Sequence, residues 1–319
     1  MNKLENKIGL GTSAIGRPVY INVRKEEKEK QSIEEFKKNS IEVLDKAYQL
    51  GVRYFDTAPG YGFAEELLEN WVRKKQDSSI EVATKWGYTY TANFNEDTIL
   101  HEVKEHSLEK LNEQWEVSKR LLPYLKYYQI HSATLETGVL SNELILRRLY
   151  ELKKVYGIQI GLTTTGANQS EVLEKALNVK IEDEVLFEVF QCTYNILDQN
   201  ILNIGEKIIQ LGKRLVLKET LANGRLFPTD KFSHYHKLYS ILESLAKKYE
   251  VGIDAIALNF CLQTLPGALI LSGASKTLYL NENLKINKFK LSSKELDCLR
   301  NFQIEPISYW KERKQLAWN

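Results

Sequence analysis

Short apolar runs alternate with amphipathic segments along most of the chain. Eight of the runs have the composition of buried strands: 7–16 (KIGLGTSAIG), 52–58 (VRYFDTA), 80–87 (IEVATKWG), 125–133 (LKYYQIHSA), 158–165 (IQIGLTTT), 186–195 (LFEVFQCTYN), 214–222 (RLVLKETLA) and 267–275 (GALILSGAS). Between them, segments such as 40–51 (SIEVLDKAYQLG) carry apolar residues three and four positions apart, which predicts amphipathic helices.

Strands that alternate with helices are typical of parallel βα units, which form either an open doubly wound sheet or a closed barrel. The count of eight favours the barrel. A (β/α)₈ barrel takes about 250 residues, and the remaining length fits insertions. We therefore expect an α/β protein with the (β/α)₈, or TIM-barrel, fold, formed by residues 1–319 as a single domain, because no linker-like segment divides the chain.

Three segments lie outside this regular pattern. Residues 17–35 form a charged insertion after the first strand, which is either a lid over the C-terminal face or a solvated connection. Residues 95–122 form a long amphipathic stretch, and we expect His101 and His106 to be surface residues of a long helix there. The C-terminal tail near 304–319 either folds across the pocket or packs on the outside of the barrel.

Composition and charge narrow the function classes. The 319 residues include 44 Lys and Arg and 42 Asp and Glu, a net charge of +2 that gives no electrostatic footprint for nucleic acid. The N-terminus lacks the apolar core of a signal peptide, and the most apolar later stretch contains polar residues and a proline, so we expect a cytoplasmic protein without a membrane segment. Three scattered cysteines suit a reducing compartment, and the pair His234 and His236 lacks further ligands, so no metal site is predicted.

Polar residues of complementary chemistry end several predicted strands. Asp56 ends the second, Lys85 the third and His131 the fourth, and Tyr61 follows Asp56 after a Pro-Gly turn. Because barrel chemistry lies at the C-terminal ends of the strands, we expect the four side chains to converge. An ammonium about 4 Å away would stabilise a tyrosinate by roughly 4 kcal/mol at an effective dielectric constant of about 20. Lys85 is thus expected to lower the pKa of Tyr61 from about 10 toward neutrality, against the opposing effect of burial.

The segments FDTAPGYG, ATKWG and YQIHSAT resemble those that carry the Asp, Tyr, Lys and His tetrad of the aldo-keto reductases. The similarity runs in order from IGLGTSAIG to LSGASKTLYLNENLK, over roughly residues 8–285. It implies hydride transfer between NAD(P)H and the carbonyl carbon of an aldehyde, ketone or sugar-like substrate, or the reverse reaction on an alcohol. Tyr61 would act as general acid in reduction and general base in oxidation, Asp56 and Lys85 would tune it, and His131 would orient the substrate oxygen.

The same resemblance implies a set of cofactor-binding residues. Gln191 would hold the nicotinamide carboxamide and residues 221–224 would lie along the pyrophosphate. The full set is Thr163, Thr164, Gln191, Lys218, Leu221, Ala222, Gly224, Ser275, Lys276, Glu282 and Asn283.

The chain departs from the family pattern at three points of this set. Thr163 and Thr164 stand where a Ser-Asn pair is frequent, and Lys218 stands where many members stack an aromatic ring under the nicotinamide. A cation there would disfavour the oxidised, positively charged ring, so Lys218 either points elsewhere or pairs with Glu219. Tyr279 replaces an arginine that often contacts the 2′-phosphate. Lys276 would supply that charge, so NADP(H) is expected and NAD(H) is possible.

Trp86 and Tyr88 follow Lys85 directly, and rim aromatics can line a substrate pocket, although packing in the core or a loop is an equal alternative. Two further functions compete with a reductase. One is a cofactor-binding regulatory or interaction subunit with the same barrel and little turnover. The other, much less favoured, is a barrel hydrolase with Asp56 and Glu219 as paired carboxylates, whose strands lie farther apart than a retaining mechanism requires. The identity of the substrate, the direction of reaction and the oligomeric state are left open.

Overall fold

The computed structural model describes residues 7–17, 23, 32–95 and 98–318. Eight parallel strands close into a barrel. They are β1 (Ile8–Gly11), β2 (Tyr54–Asp56), β3 (Glu81–Trp86), β6 (Leu125–Ala133), β7 (Gln159–Thr164), β10 (Phe187–Thr193), β11 (Arg214–Lys218) and β12 (Leu269–Ser272). Their order round the barrel is β1-β12-β11-β10-β7-β6-β3-β2. Each coincides with one of the eight runs in the sequence, so the predicted (β/α)₈ fold is confirmed.

Helices surround the barrel and connect its strands. They are α1 (Ser13–Gly16), α2 (Ile33–Gln49), α3 (Ala64–Lys75), α4 (Leu108–Ser118), α5 (Glu143–Tyr156), α6 (Gln169–Leu177), α7 (Leu202–Gln210), α8 (His236–Tyr249), α9 (Ile253–Thr264), α10 (Thr277–Asn283), α11 (Ser293–Arg300) and α12 (Pro306–Lys314). Local sequence sets several of their ends. Ser32 and Ser292 begin α2 and α11 with capping boxes, and Gly157 ends α5 in the left-handed conformation that a glycine adopts without strain.

Alternation along the strands separates an inner from an outer core. On β3, Ala83 belongs to the cluster inside the barrel, whereas Val82 packs outward against the helices. The inner cluster consists of Tyr54, Ala83, Tyr127, Val189, Val216 and Leu271. Because these apolar side chains fill the middle of the barrel, the polar residues that follow them on each strand are placed at its C-terminal mouth.

The stretch 95–122 differs from the predicted long helix. Strand β4 (Tyr88–Tyr90) pairs with β5 (Glu102–Lys104) in an antiparallel hairpin, and the stretch then forms α4 (Leu108–Ser118) and a short 3-10 helix (Lys119–Leu121). Two more short strands, β8 (Lys180–Ile181) and β9 (Glu184–Val185), pair on the outside of the barrel. A pattern of apolar residues alone does not distinguish a short hairpin with one buried face from an irregular amphipathic helix.

The insertion at 17–35 is mostly outside the described residues, whereas the C-terminal tail is described. Most of the insertion, residues 18–22 and 24–31, lies outside the described residues. The tail forms α12, in which Tyr309 and Trp310 are buried, and Trp318 lies near Arg17 at the mouth of the barrel. Among the described helices, none has the length and apolarity needed to cross a membrane.

Candidate active site

A buried ion pair forms the floor of the mouth. Lys85 Nζ donates to Asp56 Oδ2 at 2.5 Å and to the Thr57 carbonyl oxygen at 2.9 Å, and Lys85 and Asp56 are only 1% and 2% exposed. Gln191 Nε2 donates to the other Asp56 oxygen at 2.7 Å. Three strands therefore fix one carboxylate, which holds the ammonium in place.

The chain turns sharply after Asp56 to bring Tyr61 back over this pair. The Asp56 carbonyl oxygen accepts hydrogen bonds from the backbone N–H and the hydroxyl of Thr12, at 2.8 and 2.9 Å. A Cβ on Gly16 would lie 2.1 Å from the Tyr61 carbonyl oxygen, so only glycine permits the close approach of α1 to this loop. Lys85 Nζ lies 4.7 Å from the centroid of the Tyr61 ring.

The pKa of Tyr61 moves opposite to the direction argued from the sequence. Burial raises it well above its usual value, the Asp56 carboxylate raises it further, and Arg17 opposes both. Asp56 is in contact with Lys85 and offsets the ammonium, so the desolvation of the phenolate prevails. Tyr61 is therefore fully protonated at neutral pH and can donate its proton only to an oxygen that becomes strongly basic.

His131 faces Tyr61 from β6, which pairs with β3. The Tyr61 hydroxyl lies 3.4 Å from His131 Nε2, and the two rings meet edge to face. A bulge after Ile130 presents His131, where Ser132 has a φ of 55° and its N–H donates to Thr163 Oγ1 at 2.7 Å. Burial lowers the pKa of His131 well below its usual value, and Lys85 and Lys218 lower it further, so the imidazole is neutral.

The geometry of these four side chains is suited to donating a proton to a substrate oxygen. A protonated phenol, a neutral imidazole and a buried lysine–carboxylate pair surround one point at the mouth of the barrel. The phenol can donate a proton to a substrate oxygen, and the imidazole can hydrogen-bond the same oxygen and orient it.

The sequence profile of the aldo/keto reductase family matches residues 7–304 of this chain. The chain belongs to the aldo/keto reductase family. It is thus an oxidoreductase of the aldo-keto reductase class, and the resemblance seen in its sequence motifs is confirmed.

Relatives of this family member are distant in sequence. The chain is 23% identical to aldo-keto reductase str7 of Strobilurus tenacellus over 82% of this chain and 80% of that protein. It is 26% identical to probable aldo-keto reductase 1 of Glycine max over 84% and 80% of the two chains.

Solved structures share the fold at 19% and 23% identity. A glycerol dehydrogenase of Gluconobacter oxydans superposes with a TM-score of 0.70 at 19% identity, over 95% of this chain and 92% of the other. The thermostable aldo-keto reductase Tm1743 gives 0.65 at 23% identity, over 93% and 94%.

The three polar residues expected to bind nicotinamide form hydrogen bonds to other residues of the protein. Thr163 accepts from Ser132, Thr164 Oγ1 donates to Gln169 Oε1 at 3.1 Å, and Gln191 donates to Asp56. All three are buried. Gln191 and Thr163 share the barrel interior with Lys85, whereas Thr164 belongs to the outer side of β7 and contacts α6 instead of the mouth.

Lys218 points into the barrel mouth and contacts the neighbouring strand. Its Nζ donates to Thr193 Oγ1 at 3.1 Å, while Glu219 pairs with Arg313 at 2.7 Å. Glu219, the residue after β11, therefore pairs with Arg313 of α12, and the expected alternative of a Lys218–Glu219 ion pair does not form. The loop that follows has left-handed backbone at Glu219, Ala222, Asn223 and Gly224. It contains the expected residues Leu221, Ala222 and Gly224.

In the segment after β12, some of the expected cofactor-binding residues are exposed and others make contacts within the protein. Lys276 is exposed, with Nζ 5.8 Å from the Tyr279 ring centroid, and Ser275 is partly exposed. Glu282 pairs with Lys285 at 2.6 Å, and Asn283, only 2% exposed, contacts Ser272 Oγ at 2.8 Å in the core. Asn283 therefore holds β12 against α10 and does not face the solvent.

The two aromatic residues after Lys85 have different surroundings. The Tyr88 ring lies 4.6 Å from the His131 ring, beside the reactive point. Trp86 is fully buried in the outer core, because it alternates with Lys85 on β3 and therefore points toward the helices. Of the two aromatic residues, Tyr88 borders His131 at the mouth of the barrel and Trp86 does not.

Sequence reasoning missed four residues of the rim, and it left open whether the tail with Trp318 reaches the pocket. Arg17 donates to Glu102 at 2.9 Å and lies over the rings of Tyr61 and Trp318. His101 stacks on Trp318 with centroids 4.5 Å apart. His106, expected on a helix surface, contacts the His131 carbonyl oxygen at 2.9 Å. No local signal identifies Arg17, Glu102, His101 and His106, since they come together only through the hairpin and the tail.

Proposed function

We propose that this protein is an NADP(H)-dependent reductase or dehydrogenase of an aldehyde, ketone or sugar-like carbonyl. The observation that carries the proposal is the convergence of Tyr61 and His131 above the buried Lys85–Asp56 pair. The Tyr61 hydroxyl lies 3.4 Å from His131 Nε2, so one oxygen atom of a substrate can contact both.

The nicotinamide cofactor would supply or accept the hydride when bound. Features of the rim fit such a group. Gly273, at the end of β12, is exposed with open space around the position of a Cβ, which permits close approach of a ligand to the backbone. Gln191 and Lys218 lie at the mouth, and Lys276 is an exposed cation suited to a phosphate. We propose these residues, with the 221–224 loop and Ser275, as the cofactor-binding set.

The state of Tyr61 supports reduction as the favoured direction. A phenol whose pKa is raised by burial keeps its proton until negative charge develops on the substrate oxygen. His131, neutral under the same burial, would hydrogen-bond that oxygen and fix its position. In oxidation the phenolate would have to form first, at a larger cost in free energy. The Lys85 ammonium, 4.7 Å from the Tyr61 ring centroid, would limit that cost, whereas the Asp56 carboxylate adds to it.

The experiment is a screen of carbonyls and alcohols, run with NADPH, NADP⁺, NADH and NAD⁺ and followed by nicotinamide absorbance. We expect turnover of at least one aldehyde or ketone class with NADPH. Tight binding of NADPH without turnover on any substrate would support the regulatory-subunit alternative. Failure to bind any of the four nucleotides would contradict the proposed function.

A further inference from the structure

Lys218 is an inward-facing cation without a carboxylate partner among the described residues. The other cations at the mouth each contact an acid: Lys85 pairs with Asp56, Arg17 with Glu102 and Arg313 with Glu219. The Lys218 ammonium hydrogen-bonds to the neutral hydroxyl of Thr193. The carboxylate that acts on its charge, Glu219, already pairs with Arg313. The charge of Lys218 is therefore offset less completely than that of Lys85 or Arg17.

The position of Lys218 on its strand also turns its side chain toward Tyr61 and His131. It ends β11, where alternation from Val216 in the inner cluster turns its side chain into the mouth. Its charge acts on His131, whose pKa it helps to lower, although the two residues belong to strands on different sides of the barrel. Any group bound beside Tyr61 and His131 experiences the same positive potential.

A nicotinamide ring carries a positive charge when oxidised and none when reduced. We propose that Lys218 makes the protein bind reduced dinucleotide in preference to oxidised dinucleotide. This inference rests on the proposed function, because it requires the nicotinamide to lie at the mouth. Repulsion between Lys218 and the oxidised ring would release NADP⁺ after each reduction and disfavour the reverse reaction.

The test is equilibrium binding of NADP⁺ and NADPH, measured by isothermal titration calorimetry without substrate. For the wild type we expect a larger Kd for NADP⁺ than for NADPH. In Lys218→Met, which keeps much of the side-chain length, the ratio of the two Kd values should fall about tenfold or more, through tighter binding of NADP⁺. Lys218→Arg keeps the charge and should keep the ratio.

The wild-type protein provides a second measurement that does not depend on a substitution. Burial lowers the pKa of Lys218, Glu219 and Cys192 raise it, and Arg313 and Lys85 lower it, with a net lowering. As the pH is raised, Lys218 should therefore lose its proton before ordinary lysines. The ratio of the Kd values should then approach that of Lys218→Met, and Lys218→Met itself should show little pH dependence.

The outcomes separate this inference from the function on which it rests. An unchanged ratio in Lys218→Met, with both nucleotides bound, would overturn the role of Lys218 and leave the reductase proposal intact. A ratio that falls equally in Lys218→Arg would also overturn it, since the charge would then not be the cause. Absence of binding of either nucleotide to the wild type would overturn both proposals.

Discussion

His106 Nε2 lies 2.9 Å from the backbone carbonyl oxygen of His131, so a residue of the hairpin segment holds the strand that presents the imidazole. Ser132, the next residue, has left-handed backbone, and this contact supports the bulge at that point. Burial lowers the pKa of His106 to about 4, so its ring is neutral at pH 7 and donates from Nε2.

We predict that His106→Phe keeps an aromatic ring beside Trp86 but leaves the His131 carbonyl oxygen without its donor. It should lower the free energy of unfolding by about 1–3 kcal/mol, the cost of an unpaired buried acceptor. As a positioning residue, His106 should affect kcat more than KM, and His106→Gln, which retains a donor near the Nε2 position, should restore much of kcat. Equal kcat values in both variants and the wild type would show that the contact has no role in positioning His131.

Tyr61→Phe removes the proposed proton donor and retains the ring against which Lys85 and Arg17 pack. We expect kcat for carbonyl reduction to fall by at least about 100-fold, the usual contribution of a general acid, with the Kd for NADPH nearly unchanged. Steady-state kinetics and fluorescence titration measure the two effects. Tyr88→Phe is the matched control, since its ring borders His131 but its hydroxyl has no proposed chemical role. Normal turnover by Tyr61→Phe would exclude the tyrosine as the acid.

Gly87 has a φ of 110°, and a Cβ there would lie 2.5 Å from the His106 ring. Gly87→Ala should therefore lower the free energy of unfolding by about 3 kcal/mol, from backbone strain and displacement of the histidine together. Gly157→Ala is the control, with a φ of 66° and open space around its Cβ, and should cost only about 1 kcal/mol. Urea unfolding measures both, and equal losses would show that His106 moves without cost.

Glu65 lies on α3 behind the active site, where its Oε1 accepts from Thr84 at 2.7 Å and from Ser118 at 2.8 Å. Burial raises its pKa from 4.5 to about 7. Between these values the unfolded chain releases a proton that the folded chain retains, so the contribution of Glu65 to stability is present below pH 4.5 and is lost as the pH rises to 7.

The variant Glu65→Gln should therefore match the wild type near pH 4.5 and exceed its free energy of unfolding by roughly 3 kcal/mol at pH 8, at about 1.4 kcal/mol per pK unit. Denaturant unfolding across this pH range is the measurement. The variant Glu66→Gln, at an exposed position on the same helix, should show no such pH-dependent gain in the free energy of unfolding. A constant difference between Glu65→Gln and the wild type at all pH values would mean that the carboxyl is ionised throughout.

Lys276 is proposed to contact the 2′-phosphate that distinguishes NADPH from NADH. Lys276→Ala should raise the Kd for NADPH about 10- to 100-fold and change that for NADH little, since only one ligand carries the phosphate. Lys285→Ala is the control, because Lys285 lies in the same segment but pairs with Glu282. Equal losses for the two nucleotides would assign Lys276 a structural role.

The sequence alone determined the fold and the Asp56, Tyr61, Lys85 and His131 positions. Apolar periodicity marked all eight barrel strands, and strand ends are local features whose convergence follows from barrel geometry. Tertiary structure alone decided the pKa of Tyr61, because burial and the neutralising Asp56 outweigh the pull of Lys85. It also decided the surroundings of Trp86, Asn283 and Lys218, and the roles of Arg17 and His106. These depend on which segments distant in sequence pack together, and local sequence patterns do not encode those contacts.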